Sequence, residues 1–244
     1  MRAVTVANRA MLAQRRRVPV ARKQKDLMAQ SSLRVTRTPL VIVGLSLLVG
    51  GVLGFVAKAA DQSGVNWLAD VTTYPALWVV VLVVLARFVP GRVTATVSAA
   101  VLFVAMCLSY YATSEIVYGF PTPRFAMIWG VLAVTACPLY VFITSRALRR
   151  ANPVLGAAAL AVAIAVTLSD ESVIQVWLSL RGLLEASPAT RFGQALFDVV
   201  CTVGVIAMGR TRWQRILSLA FAIPLSVAAV FVIQDIAFAS GLIG

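Results

Sequence analysis

The stretch PLVIVGLSLLVGGVLGFVAK occupies residues 39–58 and carries no charged side chain before its last residue. A helix of about 20 apolar residues can cross the hydrocarbon core of a bilayer, because each residue adds about 1.5 Å. Six further apolar runs follow it, at residues 74–89, 94–112, 126–145, 154–169, 192–209 and 214–237. The sequence therefore predicts an all-α fold, a polytopic membrane helical bundle of about seven transmembrane helices.

The composition of the chain favours the same fold. Hydrophobic residues make up 60% of the 244 residues and charged residues only 13%, and the mean hydropathy is +0.90. Soluble domains carry about 25% charged residues, so too few polar side chains remain here to cover a water-facing surface. The length fits a single bundle over residues 39–244.

Residues 1–38 form a strongly basic tail. They hold ten Arg and Lys residues against one acid, Asp26, and so contribute +9 of the net charge of +13. Anionic lipids of the inner leaflet attract such a segment by about 1 kcal/mol per nearby basic residue. We expect the tail to lie in the cytoplasm against these lipids. Basic tails can also bind nucleic acid, but this one adjoins the first apolar run, and we expect no nucleic acid partner.

The remaining charges predict an orientation. With the tail inside, the inner loops carry eight arginines and no acid, whereas the outer segments carry four basic residues and eight acids. This asymmetry follows the positive-inside rule through all seven runs and predicts an inner N-terminus and an outer C-terminus. The eight acids are Asp61, Asp70, Glu115, Asp170, Glu171, Glu185, Asp198 and Asp235.

The first apolar run has two interpretations. Its basic start and the sequence Ala57-Lys58-Ala59 are also typical of a signal peptide with a cleavage site, although the basic region is unusually long. Gly50 and Gly54 have the spacing that lets another helix approach closely, which favours a retained helix. Translation from Met11 or Met28 would shorten the tail without altering the bundle.

The motifs of catalysis and cofactor binding are missing from the sequence. It has no GxxxxGK[ST] phosphate loop, no GxSxG motif and no histidine. Cys107, Cys137 and Cys201 lie in apolar runs and form no CxxC pair, so neither a structural metal site nor a disulfide framework is expected. We predict no enzyme, no cofactor and no bound metal.

Candidate binding residues concentrate on the predicted outer side, with most Trp and Tyr residues. An aromatic belt and the positive-inside rule explain this pattern. The alternative is an outward-facing cavity of carboxylates and aromatic rings, which would suit a cation or an organic ammonium.

Asp198 lies deepest of the acids, roughly 10 Å into its apolar run, and shares a helix face with Gln194, Cys201 and Thr202. Ionisable residues at such depth are functional candidates, but a structural role for Asp198 is equally open.

Two segments form a weak internal repeat. Asp61-Gln62-Ser63 and Asp170-Glu171-Ser172 each follow an outward-running helix and precede a Trp-Leu pair. Duplication, which is common in transporters, and ordinary chemistry at helix ends both explain the pattern. Residues 171–187 keep a helical apolar stripe but are polar, which predicts a separate interfacial helix.

Five short segments carry a resemblance to known proteins: Trp78, Ser109-Tyr110-Tyr111, Ile128-Trp129-Gly130, Ala136-Cys137-Pro138-Leu139 and Ser169-Asp170-Glu171-Ser172. Together they resemble an uncharacterised family of small polytopic membrane proteins common in actinobacteria, over roughly residues 40–180. The family pattern has Gly where this chain has Ser109, and a Gly-Glu-Gly-like segment where it has Asp170-Glu171-Ser172. The resemblance implies a membrane fold and brings no known activity.

These observations predict a multi-pass protein of the bacterial plasma membrane. We expect a transport-related component that binds a small solute from the outer side. The alternative is a non-transporting partner or scaffold subunit, whose glycine-rich first helix docks another membrane protein. The candidate ligand-binding residues are Asp198, Asp170, Glu171, Glu115, Tyr110 and Tyr111.

Overall fold

A computed structural model describes most of the predicted bundle. The described residues are 39–73, 75–121, 123–150, 152–169, 172–182 and 191–239, without the side chains of 73, 123 and 230–239. The basic tail, together with Asp170 and Glu171, lies outside the described residues. Contacts separate Met1–Ile42 from Val43–Gly244, and all the packing reported below lies within the second unit.

The described residues form helices joined by short connections and contain no strand. Each predicted apolar run coincides with a helix, and the fourth run forms two helices, α5 and α6, that meet at Thr135. The helices are α1 Pro39–Asp61, α2 Asn66–Thr73, α3 Pro75–Phe88, α4 Arg92–Ile116, α5 Pro123–Val134, α6 Ala136–Arg149, α7 Pro153–Thr167, α8 Ser172–Leu180, α9 Phe192–Ala207 and α10 Arg212–Ala239.

Several helices are long and apolar enough to cross a membrane. Within the described residues these are α1, α4 and the segment Arg124–Arg149. Two bent pairs raise the number to five if each pair is one crossing: α2 with α3, at 40°, and α7 with α8, at 66°. Three to five crossings support a helical membrane bundle, and the predicted seven crossings and their orientation stay predictions.

Polar and proline residues set the helix ends, as the sequence indicated. The side chain of Asn152 accepts a hydrogen bond of 2.9 Å from the backbone N–H of Val154, and Pro153 occupies the first turn of α7. Gly91 precedes α4 with φ of +79°, a conformation that favours glycine. The fourth run breaks three residues before Pro138, which cannot donate a backbone hydrogen bond.

Helix α7 lies at the centre of the packing and contacts α3, α6, α9 and α10. Its side chains are apolar all round, as expected for a buried helix, and Leu160 and Ile164 are almost completely buried. They pack with Val83 of α3, Leu148 of α6 and Val205 of α9. Small residues elsewhere on α7 let these neighbours approach closely.

Helices α1 and α4 contact each other through the predicted GxxxG spacing. A Cβ atom at Gly50 or Gly54 would overlap the backbone carbonyl of Leu102 or Met106, respectively. The two helices therefore run in the same direction, with their C-terminal ends together. This pair of glycines serves packing within the chain. The side of α1 that bears Gly51 is open, with nothing within 4 Å of a Cβ placed there.

Candidate functional site

The first polar cluster lies at the C-terminal ends of α1 and α4. We call it the Lys58 cluster, and it comprises Lys58, Asp61, Tyr110, Tyr118 and Phe120. Lys58 is only 6% exposed, and its Nζ lies 3.6 Å from Oδ2 of Asp61. The hydroxyl of Tyr110 donates a hydrogen bond to the same carboxylate oxygen. Asp61 thus links the end of α1 to α4.

Aromatic rings surround the ammonium group of this cluster. Nζ of Lys58 lies 5.2 Å from the ring centroid of Tyr110 and 6.0 Å from those of Tyr118 and Phe120. Ring faces attract a cation within about 6 Å. Tyr111 packs edge-to-face on Tyr110, with centroids 5.1 Å apart. The arrangement holds an ammonium between a carboxylate and several π systems.

The loop after α4 brings two of these rings back over the helix end. Gly119 has φ of +70°, which lets the chain reverse direction. The backbone carbonyl of Phe120 then accepts a 3.0 Å hydrogen bond from the Ser114 hydroxyl. The backbone N–H of Phe120 donates a hydrogen bond to the backbone carbonyl of Ser114. These bonds fix the position of the aromatic rings relative to α4.

The second polar cluster joins α8 to α9. We call it the Asp198 cluster, and it comprises Asp198, Gln194, Ser172 and Thr202. Asp198 is completely buried. Its Oδ1 accepts a 2.6 Å hydrogen bond from Nε2 of Gln194, and its Oδ2 accepts one of 2.6 Å from the hydroxyl of Ser172. The carboxylate therefore holds the first residue of α8 against the middle of α9.

Two oxygen atoms of the Asp198 cluster are buried without a hydrogen-bond partner among the described residues. They are Oε1 of Gln194 and Oγ1 of Thr202. Both residues lie one turn from Asp198 along α9, on either side of it, and so share its helix face. The sequence predicted this shared face, which also includes the buried Cys201, and the prediction is confirmed.

Helix α9 contacts both short helices that follow the repeated segments, α2 at its N-terminal end and α8 at its middle. Nε of Arg191 lies 3.9 Å from Oδ2 of Asp70 in α2, and a Cβ at Gly193 would lie 3.3 Å from that of Trp67. Helix α8 contacts α9 through Ser172. A separate helix after α7 was predicted over residues 171–187, and it is confirmed over Ser172–Leu180.

The structure distributes the predicted site residues over both clusters. Tyr110 belongs to the Lys58 cluster with Tyr111 beside it, whereas Asp198 belongs to the other cluster. Glu115 is an exposed residue of α4. Asp170 and Glu171 lie outside the described residues. Within the part of the chain that the structure describes, no three His, Cys, Asp or Glu residues are grouped to hold a metal ion.

Sequence reasoning missed Lys58 and Asp61 as site residues. It used both in the charge asymmetry across the membrane, Lys58 also in the candidate cleavage site and Asp61 also in the internal repeat. A usable signal existed, since a basic and an acidic residue at i and i+3 end an otherwise apolar run. Their aromatic partners come from a distant segment, so the signal alone does not identify a site.

Comparisons with known proteins give a family and no activity. No curated protein and no solved structure is significantly similar to the chain. A model of the family of unknown function DUF6518 matches residues 33–238, which include all ten helices except the last residue of α10. The predicted resemblance to an uncharacterised family is thereby confirmed, and the chain belongs to the family of unknown function DUF6518.

Proposed function

We propose that this protein is a transport-related, non-enzymatic component of the bacterial plasma membrane that binds a small ammonium-bearing solute from the outer side. The observation that carries this proposal is the Lys58 ammonium, which is buried between Asp61 and three aromatic rings. We further propose seven crossings, with the N-terminus inside and the C-terminus outside.

An ion pair with a buried ammonium in a membrane helix calls for a role beyond stability. Removing two charges from water costs free energy that their attraction offsets only in part, so such pairs are weak stabilisers. Ionisable residues in membrane segments accordingly mark functional sites more often than packing. Lys58 and Asp61 lie at the end of an apolar helix, where two uncharged residues would avoid the cost of removing charges from water.

The side chain of Lys58 shows which ligand chemistry the cluster accepts. It presents an ammonium to the ring of Tyr110 and to the carboxylate of Asp61. A solute ammonium of similar size would make the same contacts once the flexible lysine side chain turns away. Because one cation replaces another, the exchange leaves the buried charge unchanged. We infer that Lys58 closes the site in the absence of solute.

Three contacts support the proposed topology. Tyr110 and Asp61 join the ends of α1 and α4, both of which are predicted to lie outside. Arg191 and Asp70 join two more predicted outer segments. Nη2 of Arg149 donates a 2.8 Å hydrogen bond to the carbonyl of Val89, which joins two predicted inner helix ends. Each contact pairs segments from the same side of the membrane.

The binding proposal is tested by calorimetric titration of the full-length protein in detergent. The probes are choline chloride and ethanolamine hydrochloride, with potassium acetate as an anion control, all in a potassium buffer. We expect D61N to abolish ammonium binding, because the carboxylate is lost. K58M should tighten it by about tenfold, since an internal competitor is removed. D70N, an acid outside the cluster, serves as the matched control and should bind as the wild type does.

Two results would reject the ammonium site. One is unchanged binding by D61N, which would place the ligand elsewhere. The other is loss of binding in K58M, which would mean that Lys58 contacts the solute directly. For the topology, a C-terminal alkaline phosphatase fusion should be active and a C-terminal fluorescent fusion dark, as an outer C-terminus requires; the opposite pattern contradicts it.

A partner subunit is the second candidate function, favoured by the free side of α1. Gly51 faces open space and Leu48 and Val52 are mostly exposed, while Gly50 and Gly54 are occupied by α4. If this side docks a protein, purification in mild detergent should yield a stoichiometric second chain, and G51L should release it. A lone chain that binds choline favours the first function instead.

A further inference from the structure

Three arginines lie at the end of the bundle where α4 begins and α6 ends. Nη2 of Arg149 donates a 2.8 Å hydrogen bond to the backbone carbonyl of Val89, just before α4. Cζ of Arg92, the first residue of α4, lies 5.7 Å from the ring centroid of Phe142 in α6. Arg146 lies one turn from both Phe142 and Arg149 along α6 and shares their helix face. We call the three arginines, together with Phe142, the arginine cluster.

Close packing of α4 on α6 positions this cluster. Ala95 and Ala99 of α4 are completely buried and belong to the same core as Val141 of α6. Small residues let two helices approach closely, so that the arginine at the start of α4 reaches the ring of Phe142. All three arginines of the cluster are nevertheless exposed. A ligand can therefore reach them without a rearrangement of the bundle.

The arginine cluster carries three positive charges, and the segments around it hold no acid. The sequence has no Asp or Glu between Asp70 and Glu115, or between Glu115 and Asp170, and Glu115 lies at the opposite end of α4. Like charges one turn apart on a helix repel each other, so a bound anion would stabilise the cluster. Guanidinium groups bind phosphate oxygens through paired N–H donors. Charge and chemistry together favour a ligand that bears phosphate.

Exposed apolar side chains continue from the arginines toward the middle of α6. Leu139, Phe142 and Ile143 share the helix face of Arg146 and are 58%, 38% and 53% exposed. Leu139 lies about 10 Å from Arg146 along the helix. A phospholipid has the same order of groups, since its charged headgroup adjoins its acyl chains, whereas a free phosphate has no use for the apolar surface. Basic sites between membrane helices are suited to lipids with several phosphates, such as cardiolipin.

We propose that the arginine cluster binds the headgroup of an anionic phospholipid, with the acyl chains along Leu139 and Ile143. Cardiolipin fits best, because its two phosphates balance most of the charge of the three arginines. This site differs from the expected attraction of residues 1–38 to the inner leaflet, since it belongs to the folded bundle. It is also independent of the ammonium site, which lies at the other end of α4.

The experiment is thermal unfolding of delipidated full-length protein in detergent, titrated with cardiolipin or with an uncharged diglucosyl diacylglycerol. The glycolipid has no ammonium group and so does not compete for the proposed choline site. We expect the wild-type Tm to rise with cardiolipin and to saturate, as mass action requires of a specific site, and to respond little to the glycolipid. R146Q should raise the half-saturating cardiolipin concentration by about tenfold, because one charge-assisted contact to phosphate is lost.

A matched variant controls for a general attraction between a basic surface and an anionic lipid. R212Q removes one charge from the same predicted inner side, again from an arginine beside an aromatic ring, that of Trp213. Among the described residues, α10 contacts neither α4 nor α6, so cardiolipin should saturate R212Q as it does the wild type. Equal weakening in R146Q and R212Q would overturn the proposal. If R146Q does not fold, R92Q gives the same comparison.

A third titrant, inorganic phosphate, separates a lipid from a free phosphate as the ligand. It should not raise the wild-type Tm over the concentration range in which cardiolipin saturates, because it lacks acyl chains. Saturation by inorganic phosphate in that range would overturn the lipid site, and so would equal Tm increases with cardiolipin and with the glycolipid. R146Q should bind choline as the wild type does, so the lipid site and the ammonium site can fail separately.

Discussion

The Lys58 cluster and the Asp198 cluster stabilise charged groups within an apolar bundle in different ways. Lys58 and Asp61 balance each other, and aromatic rings cover the ammonium. Asp198 has neutral donors on both carboxylate oxygens and is completely buried. The first cluster can exchange its cation for another without a change in net charge. In the second, neutral side chains from α8 and α9 donate hydrogen bonds to the buried carboxylate.

Exposure and position reinforce this difference. The side chain of Asp61 remains partly exposed at the end of α1, whereas Ser172, Gln194 and Asp198 are all buried between α8 and α9. A ligand can therefore reach the first cluster from the end of the bundle. The comparison predicts that the Lys58 cluster contributes mainly to binding and the Asp198 cluster mainly to stability.

The largest expected effect tests that division of roles. D198A should lower the free energy of unfolding by about 3 kcal/mol, because it leaves the Ser172 hydroxyl and the Gln194 amide buried without their acceptor. D61A should cost only about 1 kcal/mol, since its carboxylate is partly exposed and the flexible side chain of Lys58 can turn toward water once its partner is removed. Unfolding by denaturant in mixed micelles measures both. Equal losses of unfolding free energy in D198A and D61A would show that the two clusters contribute equally to stability.

A second effect concerns the packing that positions the Lys58 cluster. G54A places a Cβ against the carbonyl of Met106, and overpacking of this kind costs about 1–3 kcal/mol. Because α1 must then move away from α4, choline binding should fall as well. G51A is the matched control on the same helix, with open space around it, and it should change neither property. Normal choline affinity in G54A would show that choline binding does not depend on close contact between α1 and α4.

A smaller effect isolates one hydrogen bond of the Lys58 cluster. Y110F removes the hydroxyl that donates to Asp61 but keeps the ring beside Lys58. Stability should fall by about 1 kcal/mol, and choline should bind no more than about tenfold more weakly because the ring remains. Y111F retains the edge-to-face pair and should resemble the wild type in both measurements. A complete loss of binding in Y110F would make the hydroxyl, and not the ring, the main contact.

Local sequence patterns were sufficient for the elements and for one helix face. The apolar runs predicted α1, α3, α4, α7, α9, α10 and the combined range of α5 and α6, and an apolar stripe predicted α8, but α2 was not predicted. Asn152-Pro153 indicated the start of α7, and the spacing of Gln194, Asp198 and Thr202 indicated their shared face. Contacts between distant segments were beyond such patterns. Tyr110 and Asp61 are 49 residues apart, and the GxxxG spacing indicated a close helix contact without identifying α4 as the partner. Periodicity reports which side of a helix is buried, but the partner depends on how the helices assemble.

The smallest expected effect is at the ion pair that adjoins the Asp198 cluster. Arg191 and Asp70 lie 3.9 Å apart, and the arginine side chain is substantially exposed, so R191Q should cost no more than about 0.5 kcal/mol. Unfolding by denaturant in mixed micelles measures the loss. Choline binding should be unchanged in R191Q, because Arg191 lies outside the Lys58 cluster. A loss well above 0.5 kcal/mol would mean that the contact between α2 and the start of α9 contributes more to stability than an exposed ion pair does.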